Sequence, residues 1–376
     1  MATSRHRRAC VAVAVAAAVL LAPSRQSLVF SELTTRREGD DSATSADLRQ
    51  LPATASGGVV GALKTIWRDS FGPRMEYILA NTVAALCECQ NVSLLGVGRM
   101  LVDDQYRNWV LKQVRDPTVL KFWTQEFSSW DSRFRTEATA PVLNKTGALL
   151  QSPPLRNVLG QMSSAFDLRW LMDHHRIFIA NLSKGRLGQE NTSLLGGLLV
   201  AAFNLAAMGR ADVSFEQRVP FSLFVDEFAS FGGDALGSIL SEARKYGLSM
   251  VLSHQHLSQL RPELVDAVLG NVGTTIAFRI GASDAETLSR QFGSTYHADA
   301  FTSLGNFEVL VKRLDNGEYR EPFAGRILPP DHTVFGRRRS LVRHSRERYA
   351  SSRAVVEDRI GRWMLGKTGE DRSMWR

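Results

Sequence analysis

The apolar and polar positions of this chain change period several times, and each change predicts an element. Residues 221–225 are apolar apart from Ser222 and run into Asp226-Glu227, the pattern of a strand buried on both faces that ends in acid. Leu236, Ile239, Leu240 and Ala243 then recur at helical spacing, Gly247 supplies a C-cap, and residues 248–252 resume as a strand. So short a crossover favours parallel neighbours, which sets Gln255, just past the second strand, beside Asp226 and Glu227. Arg244 closes the intervening helix.

Upstream, residues 59–165 read as an all-α subdomain. Trp67, Met75, Ile78, Leu79 and Leu86 mark one or two helices, and residues 119–134, with Trp123, Phe127 and Trp130, mark another. Residues 176–182 predict an apolar strand. The following SKGRLG is a loop rather than a phosphate cradle, because it lacks Gly-Lys-Thr, and residues 194–208 form a long apolar helix. Beyond Gln255 the pattern predicts a helix near 262–269, a strand over 274–280, a helix capped by Ser283 and running to Phe292, and a strand over 308–314. Asp315-Asn316-Gly317 then turns a terminal hairpin. Successive strand and helix units predict an α/β fold with a mostly parallel sheet over residues 166–330.

Composition sharpens two points. The chain of 376 residues is 44% hydrophobic and 22% charged, ordinary for a globular protein able to bury one or two cores. Its three cysteines, Cys10, Cys87 and Cys89, offer no disulfide framework, and the C-x-C pair lacks a second ligand pair at zinc spacing. The net charge of +8 is concentrated: residues 337–376 hold 12 Lys/Arg against 5 Asp/Glu, so residues 331–376 read as a basic tail able to hold nucleic acid or anionic lipid. At the other end, Arg5, Arg7 and Arg8 precede an apolar run at 9–22. That outline suits a signal peptide, but the preferred reading is an artefact of the start or a weak membrane-associating segment, and residues 34–58 read as a linker or a disordered stretch.

Acid after a buried strand can be a solvated turn or a charge that favours the next helix. It is also the arrangement a nucleotide motor needs, with one carboxylate for the water shell of Mg²⁺ and one to polarise the attacking water. Arg244 alone suits a helix C-terminus, yet an arginine at an edge can complete a neighbouring subunit's phosphate site.

The run FVDEF, then EARKYGL and SHQHLSQL, followed by AVLGNVGTTIAFRIGASDAE, resembles the type IV secretion coupling ATPases of the TraD/TraG kind and their HerA-like relatives. RIFIANLSKGRLGQENTSLLGGLL and FGPRMEYILANTVAAL extend the resemblance over residues 60–330. It implies a RecA-like P-loop NTPase sheet with an inserted all-α subdomain, using ATP and Mg²⁺ to translocate DNA in conjugative transfer. It further implies that Asp226 and Glu227 are the Walker B pair, Asp226 holding Mg²⁺ through water. Gln255 would be the nucleotide-sensing glutamine and Arg244 a trans-acting arginine finger. The expected partners are DNA, relaxosome and secretion-channel proteins and further copies in a hexameric ring, in the cytoplasm and at the cytoplasmic face of the inner membrane.

The chain departs from that family in its phosphate loop. No G-x-x-x-x-G-K-[ST] precedes Asp226; SGGVVGALKT at 56–65 misspaces its glycine and lysine and reads as a helix start. GRWMLGKT at 361–368 fits the spelling, with Lys367 and Thr368 in place. It follows an Arg-rich helical stretch with eight residues after it, so it reads as a chance match, a permuted phosphate loop being the other reading. Three functions stay open: a coupling-type ATPase whose phosphate loop is lost or on another polypeptide, a non-catalytic DNA- or partner-binding member, and a HerA-like DNA-processing motor.

Overall fold

The computed structural model describes residues 56–365 except 62, 65, 66, 68–70, 90, 91, 163, 232, 233 and 330–334. The apolar run at 9–22, most of the linker and Lys367-Thr368 of GRWMLGKT lie outside the described residues. The chain divides into two units, Ser222–Gly336 and the remainder, the latter including residues 337–376.

The larger unit is helical. Its elements are α1 (Pro73–Cys87), α2 (Gly96–Val102), α3 (Asp104–Leu111), α4 (Pro117–Lys121), α5 (Ser132–Gln151), α6 (Pro153–Leu159), α7 (Leu168–Asp173), α8 (Lys184–Leu187) and α9 (Gln189–Met208). Asp103, Asp116, Asp131 and Asp167 cap α3, α4, α5 and α7 by accepting from backbone N–H groups of the first turn. Burial follows the helical period: Ile78, Leu79, Val83 and Leu86 of α1 are fully buried, and Trp123 and Phe127 sit in a π-helical turn at Phe122–Phe127 that follows α4. Residues 56–61 are helical, in line with a helix start at SGGVVGALKT.

Two expectations change in this unit. Residues 176–182 form no strand; among the described residues no neighbour offers a ladder, and Phe178, Ala180 and Leu182 are instead partly buried against the helical core. SKGRLG is not a plain loop, because its Lys184–Leu187 portion makes the short α8. The long apolar helix is present as α9. It is long and apolar enough to cross a membrane, but Leu194, Leu195, Leu198 and Leu199 belong to the unit's core, as in a core helix of a globular protein.

The smaller unit contains β1 (Phe221–Val225), α10 (Asp234–Glu242), β2 (Leu248–Leu252), α11 (Pro262–Asn271), β3 (Thr274–Ala277), α12 (Ala282–Gln291), α13 (Ala298–Thr302), β4 (Glu308–Asp315), β5 (Glu318–Tyr319) and β6 (Phe323–Arg326). β1 and β2 pair in a two-stranded sheet. Ser222 meets Ser249 and Asp226 meets Ser253, both 27 residues apart, and this constant offset in the same direction makes the two strands parallel. The expectation of a mostly parallel sheet fails beyond this pair. β4 pairs antiparallel with β3 on one side and with β5 and β6 on the other. For β5 and β6 the physical reason is the tight Asp315-Asn316-Gly317 turn, with Asn316 at φ 52° and Gly317 at φ 87°, which folds the chain straight back along β4 and leaves no room for a crossover.

The core of this sheet lies on one face. Ala277 of β3 and Leu310 of β4 pack with Ala285, Leu288 and Phe292 of α12 and Phe301 of α13. The opposite face, carrying Ile276 and Phe323 across from Val311, is open, and in β1 Phe224 is 73% exposed. β1 is therefore not buried on both faces, as its apolar run suggested.

After residue 336 the chain returns to the larger unit as α14 (Arg338–Tyr349) and α15 (Arg353–Met364). Val356, Ile360 and Trp363 of α15 enter the helical core. The Arg99 guanidinium lies 4.5 Å from the Tyr106 ring and 4.8 Å from the Trp363 ring, and it donates to the Trp363 carbonyl at 2.9 Å. The Gly361–Met364 part of GRWMLGKT is thus the last turn of a helix.

Candidate functional site

The site forms where β1 and β2 end together. Val225 is the last residue of β1, and Asp226 and Glu227 follow in a turn. The parallel pairing places residues 253–255 alongside them. Ser253 Oγ donates to Asp226 Oδ1 at 2.6 Å, and the Glu227 N–H reaches the same oxygen at 3.1 Å. Gln255 Nε2 donates to Glu227 Oε1. The Phe228 N–H, bonded to the Ser253 carbonyl at 3.0 Å, closes the turn, and Phe228 itself is fully buried.

Glu227 is left-handed, with φ 52° and ψ 43°. A side chain there costs about 1–2 kcal/mol relative to an unstrained conformation, so local structure must hold it. The Gln255 bond and the buried Phe228 do so. Asp226 and Gln255 are exposed and Glu227 half-buried, which leaves the carboxylates open to a solute.

Surrounding groups fix the loop after β2. The Asp284 carboxylate, mostly buried, accepts from the Leu257 N–H at 3.0 Å. His254 stacks edge-on against Phe228 with ring centres 5.0 Å apart. Burial holds the His254 pKa below its ordinary value, against the opposing pull of Asp284 and Glu227, so the ring is biased towards its neutral form.

Of the residues singled out in the sequence, the structure brings together Asp226, Glu227 and Gln255 and leaves Arg244 apart. Arg244 lies in the 3₁₀ turn Ala243–Tyr246 before β2, exposed, at the opposite end of that strand from Gln255. Five strand residues separate the two ends by roughly 16 Å. Gly247, at φ 72°, provides the expected left-handed stop between this turn and β2. Sequence reasoning missed Ser253. Its signal was available in the register, since it stands 27 residues after Asp226 just as Ser249 stands 27 after Ser222.

Two carboxylates, a hydroxyl and an amide offer hard oxygen donors at one point. Among the described residues no group of three or more His, Cys, Asp or Glu could cage a metal. Such a donor set suits a cation that keeps most of its water, as Mg²⁺ does with one or two carboxylates and substrate phosphates. Asp226, oriented by Ser253, is exposed and could hold such a water shell.

Residues 220–311, spanning β1 to the middle of β4, match the family described as the TraM recognition site of TraD and TraG. Over this segment the chain is TraD/TraG-like. An "Uncharacterized protein" of Mycoplasma pneumoniae is 29% identical over 141 residues, covering 35% of this chain and 91% of that protein. Among solved structures, VirB4 of Thermoanaerobacter pseudethanolicus is similar with a TM-score of 0.50 at 11% identity, over 86% of this chain and 78% of that one. The plasmid coupling protein TrwB in complex with ADP and Mg²⁺ aligns with a TM-score of 0.49 at 16% identity, over 73% of this chain and 69% of its own. The likeness to VirB4 is one of fold. The TraD/TraG-like segment contains Asp226, Glu227, Arg244, Ser253 and Gln255.

Proposed function

We propose that this chain is the carboxylate-bearing part of a conjugation or type IV secretion motor, with Mg²⁺-ATP engaged at Asp226, Glu227 and Gln255. The observation that carries the reading is the meeting of these three side chains at the carboxyl ends of adjacent parallel strands, where open α/β sheets take their ligands, inside the TraD/TraG-like segment.

Each group has a role its surroundings support. Asp226 is oriented by Ser253 and by the Glu227 N–H, and it holds the water shell of Mg²⁺. The metal, when bound, supplies charge stabilisation on the phosphate oxygens. Glu227 polarises the attacking water, and Gln255, bonded to it, reports the state of the site through that hydrogen bond. Arg244 stands too far from its own carboxylates to serve them, so it acts on a neighbouring subunit's nucleotide in a homo-oligomeric ring. DNA is the translocated polymer, and relaxosome or secretion-channel proteins are partners, as the TraM-recognition description of the matched family suggests. The place of action is the cytoplasmic face of the inner membrane.

Because no G-x-x-x-x-G-K-[ST] precedes Asp226, the chain alone lacks a lysine and backbone nest for the β- and γ-phosphates. It therefore binds ATP weakly and hydrolyses it at background by itself, and this same feature favours the second reading, a non-catalytic member. Two substitutions in an assembly that turns over ATP separate the readings. Glu227→Gln and Arg244→Ala should each cut kcat by about 100-fold or more with nucleotide affinity nearly unchanged. Equal loss of binding and turnover, or unaltered turnover, contradicts the assigned roles.

A further inference from the structure

The helix α14 carries a charge array that the nucleotide site does not use. Residues 337–348 hold six arginines, 337, 338, 339, 343, 346 and 348, against the single acid Glu347. All six are exposed. Arg343 has a weak pair with Glu347 at 3.9 Å, while Arg337, Arg338, Arg339 and Arg346 have no ion-pair partner among the described residues. Like charges packed this densely repel one another on an exposed helix and disfavour it, so an external counter-charge is the stabilising complement.

The geometry of the array decides its partner. Arg339, Arg343 and Arg346 recur at i, i+4 and i+7, a stripe about 10 Å long on one side of the helix. The other side is committed to the protein: Ser345 is fully buried, Leu341, Val342 and Tyr349 are half-buried, and Tyr349 meets the Phe166 ring edge-on at 6.3 Å. A helix that lies in a membrane interface needs large apolar residues free to enter the lipid. Here those residues face inward, and the free arc presents guanidinium groups, donors whose planar fork matches phosphate oxygens.

We propose that α14 is a binding surface for the phosphate backbone of nucleic acid, reading charge and not sequence. It requires neither nucleotide nor the Asp226 site, so its failure and theirs are distinguishable. α15 follows α14 directly and contributes Ile360 and Trp363 to the core, so deleting residues after 337 would damage the fold. Point changes are the cleaner probe.

The test titrates fluorescein-labelled 30-mer DNA of mixed sequence, single-stranded and duplex, against the full chain without nucleotide from 50 to 200 mM salt. The Arg339→Gln/Arg343→Gln/Arg346→Gln variant is compared, with a triple Lys variant as rescue. On the duplex, loss of three phosphate contacts should lower the slope of log K against log salt by about 2.7, so that wild type loses about 40-fold more affinity than the Gln variant over that salt range; on the single strand the change in slope is about 2.1. The Lys variant should recover most of the slope while circular dichroism stays unchanged in all three. Identical slopes in wild type and the Gln variant overturn the proposal. So does binding to phosphatidylserine vesicles without binding to DNA, which would assign the surface to lipid.

Discussion

Alanine is ordinarily more stable than glycine in a folded chain, and Glu227 is where that order should reverse. At φ 52° any residue with a Cβ pays about 1–2 kcal/mol, which glycine does not. Glycine in turn loses more backbone freedom on folding, worth about 0.4–1 kcal/mol in favour of alanine. Glu227→Ala and Glu227→Gly both remove the carboxylate and its bond from Gln255, so those losses cancel between them. The difference left is about 0.5–1 kcal/mol in favour of Glu227→Gly. All seven tryptophans lie outside Ser222–Gly336, so intrinsic tryptophan fluorescence does not watch this unit. Hydrogen exchange by mass spectrometry on peptides covering 221–260 does, and denaturant titration read on those peptides compares the two variants. If Glu227→Ala proves as stable as Glu227→Gly, or more so, the left-handed conformation does not carry the strain assigned to it.

Other features give sharper numbers elsewhere in the chain. Arg99→Leu removes a guanidinium that lies over both the Tyr106 and Trp363 rings and is bonded to Asp103 at 2.6 Å, and should cost about 2–4 kcal/mol in urea unfolding, with Trp363 becoming quenchable by iodide. Gly160→Ala places a Cβ 2.6 Å from the Arg156 carbonyl oxygen and 2.8 Å from Ile360 Cδ1, and since backbone cannot yield cheaply the thermal midpoint should fall by an amount equivalent to about 1–3 kcal/mol. Burial pushes the Cys87 thiol up and the Cys89 thiol up to about 12. Their folded pKa values exceed the unfolded value of about 8.5, so the stability they lend is complete below that pH and is lost as pH rises towards the folded values. Urea midpoints should therefore decline above about pH 8.5, and less steeply in Cys87→Ala/Cys89→Ala.

Legibility in the sequence followed what was local. β1 and β2 were readable to the residue because a compact apolar run met acid at one end and the Gly247 stop at the start of the other. Gln255 could be placed beside Glu227 because one crossover between parallel strands fixes which ends are neighbours. Residues 176–182 have the same apolar character as β1 but, among the described residues, no ladder to join, and strand pairing is a property of two segments, not one. The antiparallel sense of β3 to β6 was half-visible in Asp315-Asn316-Gly317, then overridden by the expectation of a parallel sheet. The left-handed Glu227 left no trace, because a glutamate in that conformation has no residue-type signature. Likewise, charge counting found the arginines of α14 but could not show that its apolar side is docked on Phe166.

The central claim is that Asp226 ties nucleotide to Mg²⁺. Isothermal titration of a non-hydrolysable ATP analogue into the full chain, with and without Mg²⁺, in wild type and Asp226→Asn, tests it most directly. Weak binding that Mg²⁺ strengthens in wild type, with that gain lost in Asp226→Asn at unchanged circular dichroism, is the expected result. Binding whose Mg²⁺ dependence is the same in both proteins, or no binding under any condition, would contradict the account.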